Sequence, residues 1–396
     1  MKKPLRFTCF IISAIIALSA ISCNSSTTLN DNEQEAKENS DTITANTVLE
    51  NTEEKSDKLA NELILVNPNG IIEESKRAAA EVGVFMPETV MNGAPAGTYP
   101  IQGFLLSAST PSDTYGNGMS IIYRLSDGSL FVFDGGGGYV RYMLYKCLKD
   151  LSGGGKIKVA AWVMTHAHGD HFYAMKGLLE GVHKYDFEIQ EFWYNRSTNT
   201  TEGKGDGVAL ENLFKGVALN DTKVRSLTYG QTYTLDGGRV SAKVLCTPAN
   251  VAGKGGDENT NSLVMMLNIG GKKLLMTGDA NEPAWDFMVS QHNKSSEYSL
   301  KCDYLQMPHH AVQSAGTTAG YNAANPSYVI IPSTTKLAKD LCTSSNASPT
   351  YNFLKNSMGI NTQANNLPQT GSNYCYAGNY TQSGTKNIIC FFTSAQ

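Results

Sequence analysis

The feature that most restricts what this chain can fold into is a seven-residue segment, Thr165-His166-Ala167-His168-Gly169-Asp170-His171, placed directly after the apolar run Lys158 to Met164. Three imidazoles and a carboxylate in one tight loop cannot all be buried by packing alone, because each desolvated polar group needs a partner. Imidazole nitrogen and carboxylate oxygen are ligands that a borderline divalent cation prefers, and a strand-end loop can turn such side chains toward one point. The run 158–164 is mostly apolar, which predicts a central strand buried on both faces, and a helix is predicted to start near Phe172. Three of the chain's seven histidines lie in this loop, which makes it the candidate metal site.

The surrounding pattern alternates strands with helices. Met119–Leu125 and Ser129–Phe133 flank Asp127-Gly128 and predict a hairpin. Val140, Met143, Leu144, Cys147 and Leu151 recur at helical spacing until Gly153-Gly154-Gly155 stops them. Further strands are predicted at Val240–Cys246, at Ser262–Ile269 and Lys272–Thr277 around Gly270-Gly271, at Asp303–Met307 and at Tyr328–Ile331. The stretches 195–235 and 335–385 are polar and carry no recognised motif. With 41% hydrophobic and 17% charged residues, the chain is a core-forming globular protein and not a coiled coil, a collagen or a wholly disordered polymer.

The N-terminus reads differently. Lys2, Lys3 and Arg6 precede an apolar run from Phe7 to Ile21, which is the order of an export signal over residues 1–23. The run is shorter than the ~20 residues needed to span a bilayer, so cleavage is favoured over retention as a membrane helix. Leu18-Ser-Ala-Ile-Ser-Cys23 resembles a bacterial lipobox, which implies a lipid anchor at Cys23 in the cell envelope. Residues 24–62 hold ten carboxylates against three lysines and no aromatic, so they read as an acidic, solvated tether ahead of a folded body at 63–396. That body is neutral within the chain's net charge of −4. It offers no global field for a polyanion, so nucleic acid is not indicated by charge and any phosphate would have to be gripped locally. Six cysteines lie beyond the signal and none is at Cys-x-x-Cys spacing, so a cysteine zinc ribbon is disfavoured, and Cys147 and Cys246 read as buried thiols.

The loop at 166–171 is the His-x-His-x-Asp-His signature of the metallo-β-lactamase-fold hydrolases, and the chain resembles that family in three further motifs that occur in the family's order. Phe131-Val-Phe-Asp134-Gly-Gly resembles the strand end whose Asp braces the metal loop without binding metal. Leu274-Leu-Met-Thr-Gly278-Asp279 resembles the strand that delivers the metal-bridging Asp, and Leu305-Gln-Met-Pro-His309-His310 the motif whose His completes the second site. The resemblance spans about residues 95–335 and implies a four-layer αββα sandwich with the metal site at the edge of the two sheets. Asn259-Thr-Asn-Ser262-Leu-Val264, Thr-Gly-Asp279 and Pro-His309-His310 are most similar to the metallo-hydrolase domain of bacterial competence DNA-channel proteins and their stand-alone relatives. Ala311 stands where that group has Gly, and Phe172-Tyr173-Ala174 replaces its Gly-Gly.

The family normally supplies a third His to the first metal, and here the only His between His171 and Asp279 is His183, which lies too early; the competence-type group shares this loss. The resemblance therefore implies a first site of His166, His168 and Asp279 with waters, and a second of Asp170, His171, Asp279 and one of His309 or His310. His309 is the expected ligand, with Asp170 and His310 in catalytic roles. Two divalent cations are implied, zinc first and manganese second, lowering the pKa of a shared water for hydrolysis. A phosphodiester or other phosphorylated substrate is expected ahead of a lactone, thioester or β-lactam. A non-enzymatic binding module is the third reading, disfavoured because structural zinc sites are closed by four protein ligands.

Overall fold

The computed structural model describes residues 93–106, 118–216, 221–255, 257–312, 315–342, 348–364, 367–377 and 388–395. The export segment 1–23, the tether 24–62 and the first part of the predicted body, 63–92, lie outside the described residues. Strands β1 (Gln102–Leu106), β2 (Ile121–Arg124), β3 (Leu130–Phe133), β4 (Ile157–Met164), β5 (Phe187–Ile189), β6 (Glu191–Tyr194) and β7 (Lys223–Arg225) build one sheet. A second sheet holds β8 (Thr232–Leu235), β9 (Val240–Cys246), β10 (Val264–Ile269), β11 (Lys272–Met276), β12 (Tyr304–Gln306), β13 (Tyr328–Ile331) and β14 (Tyr374–Tyr376). The last strand, β15 (Ile388–Thr393), returns to the first sheet beside β1. The orders are β15-β1-β2-β3-β4-β6-β7, with β5 also on β4, and β14-β13-β12-β11-β10-β9-β8.

Side-chain alternation sorts these strands into layers. Phe131 and Phe133 point into a core shared with Val163 and Trp193 of their own sheet and with Val244, Met265 and Met276 of the other. Their neighbours Leu130 and Val132 point the opposite way, against helices α1 (Arg141–Leu151) and α2 (Gly169–Glu180). Phe131 meets Phe133 and Trp193 edge to face at 4.8 and 5.5 Å between ring centroids, contacts worth ~0.5–1.5 kcal/mol each beyond their burial. The outer face of the second sheet, including Leu275 and Leu305, is covered by Trp285 and Met288 of a helix spanning Glu282–Lys294. Helix, sheet, sheet, helix is the αββα sandwich expected from the resemblance, and the chain has the metallo-β-lactamase fold.

The predicted strands are found within one or two residues. Ser262 and Leu263 leave β10 because they are used elsewhere: the Asp279 N–H donates to Ser262 Oγ at 3.1 Å, and the Leu263 N–H donates to the Thr165 carbonyl at 2.9 Å. The helix expected near Phe172 begins at Gly169 instead, with His168 as its N-cap, so Asp170 and His171 are helical. A carboxylate in a first turn is favoured by the helix dipole, by about 0.3–1 kcal/mol.

The stretch 195–235 is more ordered than its composition suggests. A helix runs over Thr201–Lys215, capped by Thr200, whose hydroxyl accepts from the Gly203 N–H. Gly203 is there because a Cβ would sit 2.7 Å from the Ser197 carbonyl oxygen, so close approach and not flexibility explains it. The described cysteines are free thiols, five of them buried. Burial pushes the Cys147 and Cys246 thiols up to about 12, which makes them unreactive at neutral pH. Among the described residues no helix is long and apolar enough to cross a membrane.

Candidate metal centre

Neighbouring strands β3 and β4 run parallel, as do β11, β12 and β13, and the site hangs from their C-terminal ends. The loops after β3, β4, β11 and β12 carry Asp134, residues 166–171, Asp279 and His309-His310 respectively. This is where open α/β sheets place ligands. Gly278 turns the chain from β11 to Asp279 at φ +53°, and a Cβ there would lie 2.8 Å from Thr165 Cβ. The Asp279 carboxylate is thereby brought against the signature loop.

Asp134 is the brace. It is buried, its Oδ1 accepts the Thr165 N–H at 2.7 Å, and its Oδ2 accepts the Thr165 hydroxyl at 2.7 Å and faces His171 Nδ1 at 2.8 Å. The Thr165 hydroxyl, having donated to Asp134, is left to accept, and His166 Nδ1 lies 3.1 Å from it. On the far side, His310 Nδ1 lies 2.8 Å from the Pro332 carbonyl, a group that can only accept. Each of these three rings therefore carries its Nδ1 proton on a fixed acceptor and turns Nε2 inward.

The inward nitrogens converge on Asp279. Its Oδ2 lies 3.1 Å from His171 Nε2, 3.2 Å from His310 Nε2 and 3.9 Å from His166 Nε2. Asp170 Oδ2 is 3.0 Å from His310 Nε2 and 3.9 Å from His171 Nε2. Among the described residues, Asp170, His171, Asp279 and His310 form a group whose ligand atoms all lie within 4.8 Å of one another. His168 lies outside that group, its Nδ1 being 3.2 Å from His166 Nε2. His309 does not join the group; its Nε2 lies 3.5 Å from Asn259 Nδ2.

The donor set fits a divalent cation, and an orphaned atom supports the fit. Asp279 Oδ1 is buried with no hydrogen-bond partner among the described residues, which for a carboxylate oxygen is costly unless a cation is its partner. Histidine ligands whose other nitrogen is pinned by a carboxylate or carbonyl are how metal sites fix ring orientation. The sequence reading named Asp134 as the brace but had no access to Thr165 as a relay or to the Pro332 carbonyl. Thr165 carries a weak signal, its adjacency to His166, whereas a backbone acceptor carries none.

Charge organises the titration. Burial alone would lower the His171 pKa, but Asp279, Asp170 and Asp134 outweigh it and push it up to about 10. Burial would likewise lower His310, but Asp279 and Asp170 override it and raise His310 well above the ordinary histidine value. Asp279 is held well below the carboxylate range: burial would raise it, and His171 and His310 more than compensate. His166 is lowered by burial and by His171, so it presents a neutral lone pair. Two imidazolium groups 3.3 Å apart repel by roughly 5 kcal/mol at an effective dielectric of 20, a conflict that replacing their protons with a cation removes.

Cation uptake must therefore displace protons from His171 and His310. Because both are protonated below the raised values, lowering the pH strengthens the competition and weakens apparent affinity. Affinity should tighten as pH rises from 5 to 8, by up to about 100-fold per unit where two protons compete. Calorimetric titration with Zn²⁺ in buffers of differing ionisation enthalpy measures the protons released; pH-independent affinity with no release would contradict this.

A cavity of about 1080 Å³ lies elsewhere, between the edge strands β7 and β8, and none of the histidines above lines it.

No protein-family model matches the sequence, and no curated protein does. Among solved structures the chain is similar to the metallo-β-lactamase fold protein YhfI from Bacillus subtilis, at 11% identity over 58% of this chain and 85% of that one, with a TM-score of 0.36. It is similar to yeast PDE1 at 12% identity over 74% of this chain and 100% of that one, with a TM-score of 0.43. Zn²⁺-bound PqqB from Methylobacterium extorquens is similar at 13% identity over 53% and 72% of the two chains, with a TM-score of 0.34. Likeness at this distance is a similarity to those proteins and assigns no activity.

Proposed function

We propose that this chain is a divalent-metal-dependent hydrolase whose substrate is a phosphodiester. The observation that carries the proposal is the convergence of three Nε2 atoms, from His166, His171 and His310, on Asp279, each ring pinned from behind through Nδ1. Asp170, His171, His310 and Asp279 would hold one cation, and His166, His168 and Asp279 another. His310 takes the ligand place that sequence alone gave to His309. When bound, such cations polarise a substrate oxygen and lower the pKa of a water.

The chain's own groups supply the rest. Asp170 is the more accessible of the two carboxylates in the group, with 15% of its side chain exposed, and is placed to accept the attacking water's proton. Burial lowers the His309 pKa, so its ring is neutral at pH 7 and offers a hydrogen bond, not a charge, to a substrate oxygen at the rim. Two ligand carboxylates against two dications leave a net charge of about +2, which an anionic phosphodiester halves and a neutral acyl group leaves unchanged. The similarity of Asn259–Val264 to the competence-type motif supports the same substrate class.

The test is a side-by-side assay with Zn²⁺ and with Mn²⁺. Bis(p-nitrophenyl) phosphate should turn over faster than nitrocefin or a thiolactone. Nitrocefin turnover without phosphodiesterase activity under either metal would reject the substrate class and leave the hydrolase.

Export and anchoring through Cys23 belong to this proposal on the strength of the N-terminal sequence alone. Cys23→Ser should move the protein from the membrane fraction to the soluble one. An unmodified N-terminus at another residue, seen by mass spectrometry, would reject the anchor.

A further inference from the structure

The resemblance leaves the first site one histidine short, and Asn259 is a buried amide on a segment that packs against that side. It sits in the 3-10 turn Glu258–Asn261, which is stitched to both halves of the site. The next two residues bond to Asp279 and Thr165, through the Ser262 hydroxyl and the Leu263 N–H. Glu258, its other neighbour, is hydrogen-bonded to the backbone of Ala167, the residue between His166 and His168. Asn259 itself is 1% exposed.

Its amide orientation is determined by chemistry. Nδ2 lies 3.1 Å from Asp257 Oδ2, and a carboxylate accepts from nitrogen but gives nothing to oxygen. Asp257 is itself held in place, its Oδ1 accepting from Asn281 Nδ2 at 3.2 Å. The amide nitrogen also faces His309 Nε2 at 3.5 Å. Oδ1 must therefore point away from Asp257, and it is buried with no hydrogen-bond partner among the described residues. Asp279 Oδ1 is orphaned in the same way. Two buried, unpartnered acceptor oxygens on segments bonded to each other, and bonded through Leu263 and Glu258 to the loop that carries His166 and His168, are a donor set without its acceptor.

We propose that the Asn259 carbonyl oxygen fills the ligand position left by the missing histidine, so that the first site is His166 Nε2, His168 Nδ1, Asp279 Oδ1 and Asn259 Oδ1. This rests on the metal-site reading above and adds to it a ligand and a selectivity. An amide oxygen in place of an imidazole makes the site harder, since carbonyl and carboxylate oxygens suit Mn²⁺ and imidazole suits Zn²⁺. The first site thus takes Mn²⁺ more readily than a three-histidine site does. Asp257 and Asn281 are positioning residues that act through the amide.

The experiment titrates metal-free full chain with Mn²⁺ and with Zn²⁺, reading stoichiometry by calorimetry and spin coupling of paired Mn²⁺ by electron paramagnetic resonance. Wild type should bind two ions and show the coupled signal. Asn259→Ala should keep the second-site ion, which also reports that it folds, and bind the other at least ~10–100-fold more weakly with the coupling lost. Asn259→His should bind two ions and shift first-site preference toward Zn²⁺ by about tenfold or more. Two ions bound by Asn259→Ala with wild-type affinity would overturn the assignment and leave the metal centre intact. Should Asn259→Ala lose both ions, Asn259→His decides, and unchanged Zn²⁺/Mn²⁺ preference there overturns it. A wild type that binds no ion defeats the metal-site reading itself.

Discussion

Asp279→Ala should eliminate hydrolysis, by at least about 10³-fold, and empty the centre of metal. The size follows from its place: one carboxylate oxygen lies within 3.9 Å of the inward nitrogens of His166, His171 and His310, so the Asp279 carboxylate faces both halves of the site. Removing it also leaves the raised imidazoles of His171 and His310 without their main counter-charge. The folded chain should nevertheless persist, because Asp279 is anchored through its backbone to Ser262 and the two sheets pack independently of its carboxylate. Elemental analysis together with turnover of bis(p-nitrophenyl) phosphate checks both parts. A variant that keeps stoichiometric metal and a tenth of the rate would remove Asp279 from the centre.

The paired histidines should separate cleanly. His310→Ala should lose the second-site ion, with affinity down by at least ~10–100-fold and rate falling with it. His309→Ala should retain metal and lose rate or raise KM by about tenfold, as expected of a neutral rim group that contacts substrate. The contrast comes from backbone geometry: His309, His310 and Ala311 all have positive φ, at 44°, 54° and 63°. Such conformations cost about 1–2 kcal/mol per non-glycine residue, and a run of three persists only where the surroundings hold it. The holding groups are the His309 N–H on the Gly278 carbonyl at 3.3 Å and the His310 ring on Pro332. Metal loss in His309→Ala with full metal in His310→Ala would exchange the two roles.

That left-handed turn is also what sequence could not convey. Adjacent residues were expected to point differently, and the strand ahead of them favoured the first as the ligand, but the turn swings the second inward. By contrast, the 166–171 loop was legible because three imidazoles and a carboxylate at the end of an apolar run are a chemical oddity, while Asp134 and Asp279 were legible only through the resemblance of their motifs to the family's. The same logic placed the central strands β3, β4, β9 and β11, whose apolar content is high and whose turns carry glycine. It failed for the helix over Thr201–Lys215, where Gly203, Gly205 and Gly207 hide a buried pair, Leu210 and Phe214, at helical spacing. Those glycines lower helix propensity, and yet Gly203 and Gly207 permit the close approach to Ser197 and Tyr194 that packing demands. Three-residue strands such as β14 are too short to show a period at all.

The most direct test of the whole account is to strip the purified chain of metal and restore it ion by ion while following phosphodiester hydrolysis. The account predicts no turnover in the stripped protein and recovery that tracks binding at a centre containing His310 and Asp279, with protons released as the ions enter. A stripped chain that hydrolyses bis(p-nitrophenyl) phosphate at the full rate, or one that takes up neither Zn²⁺ nor Mn²⁺, would contradict it.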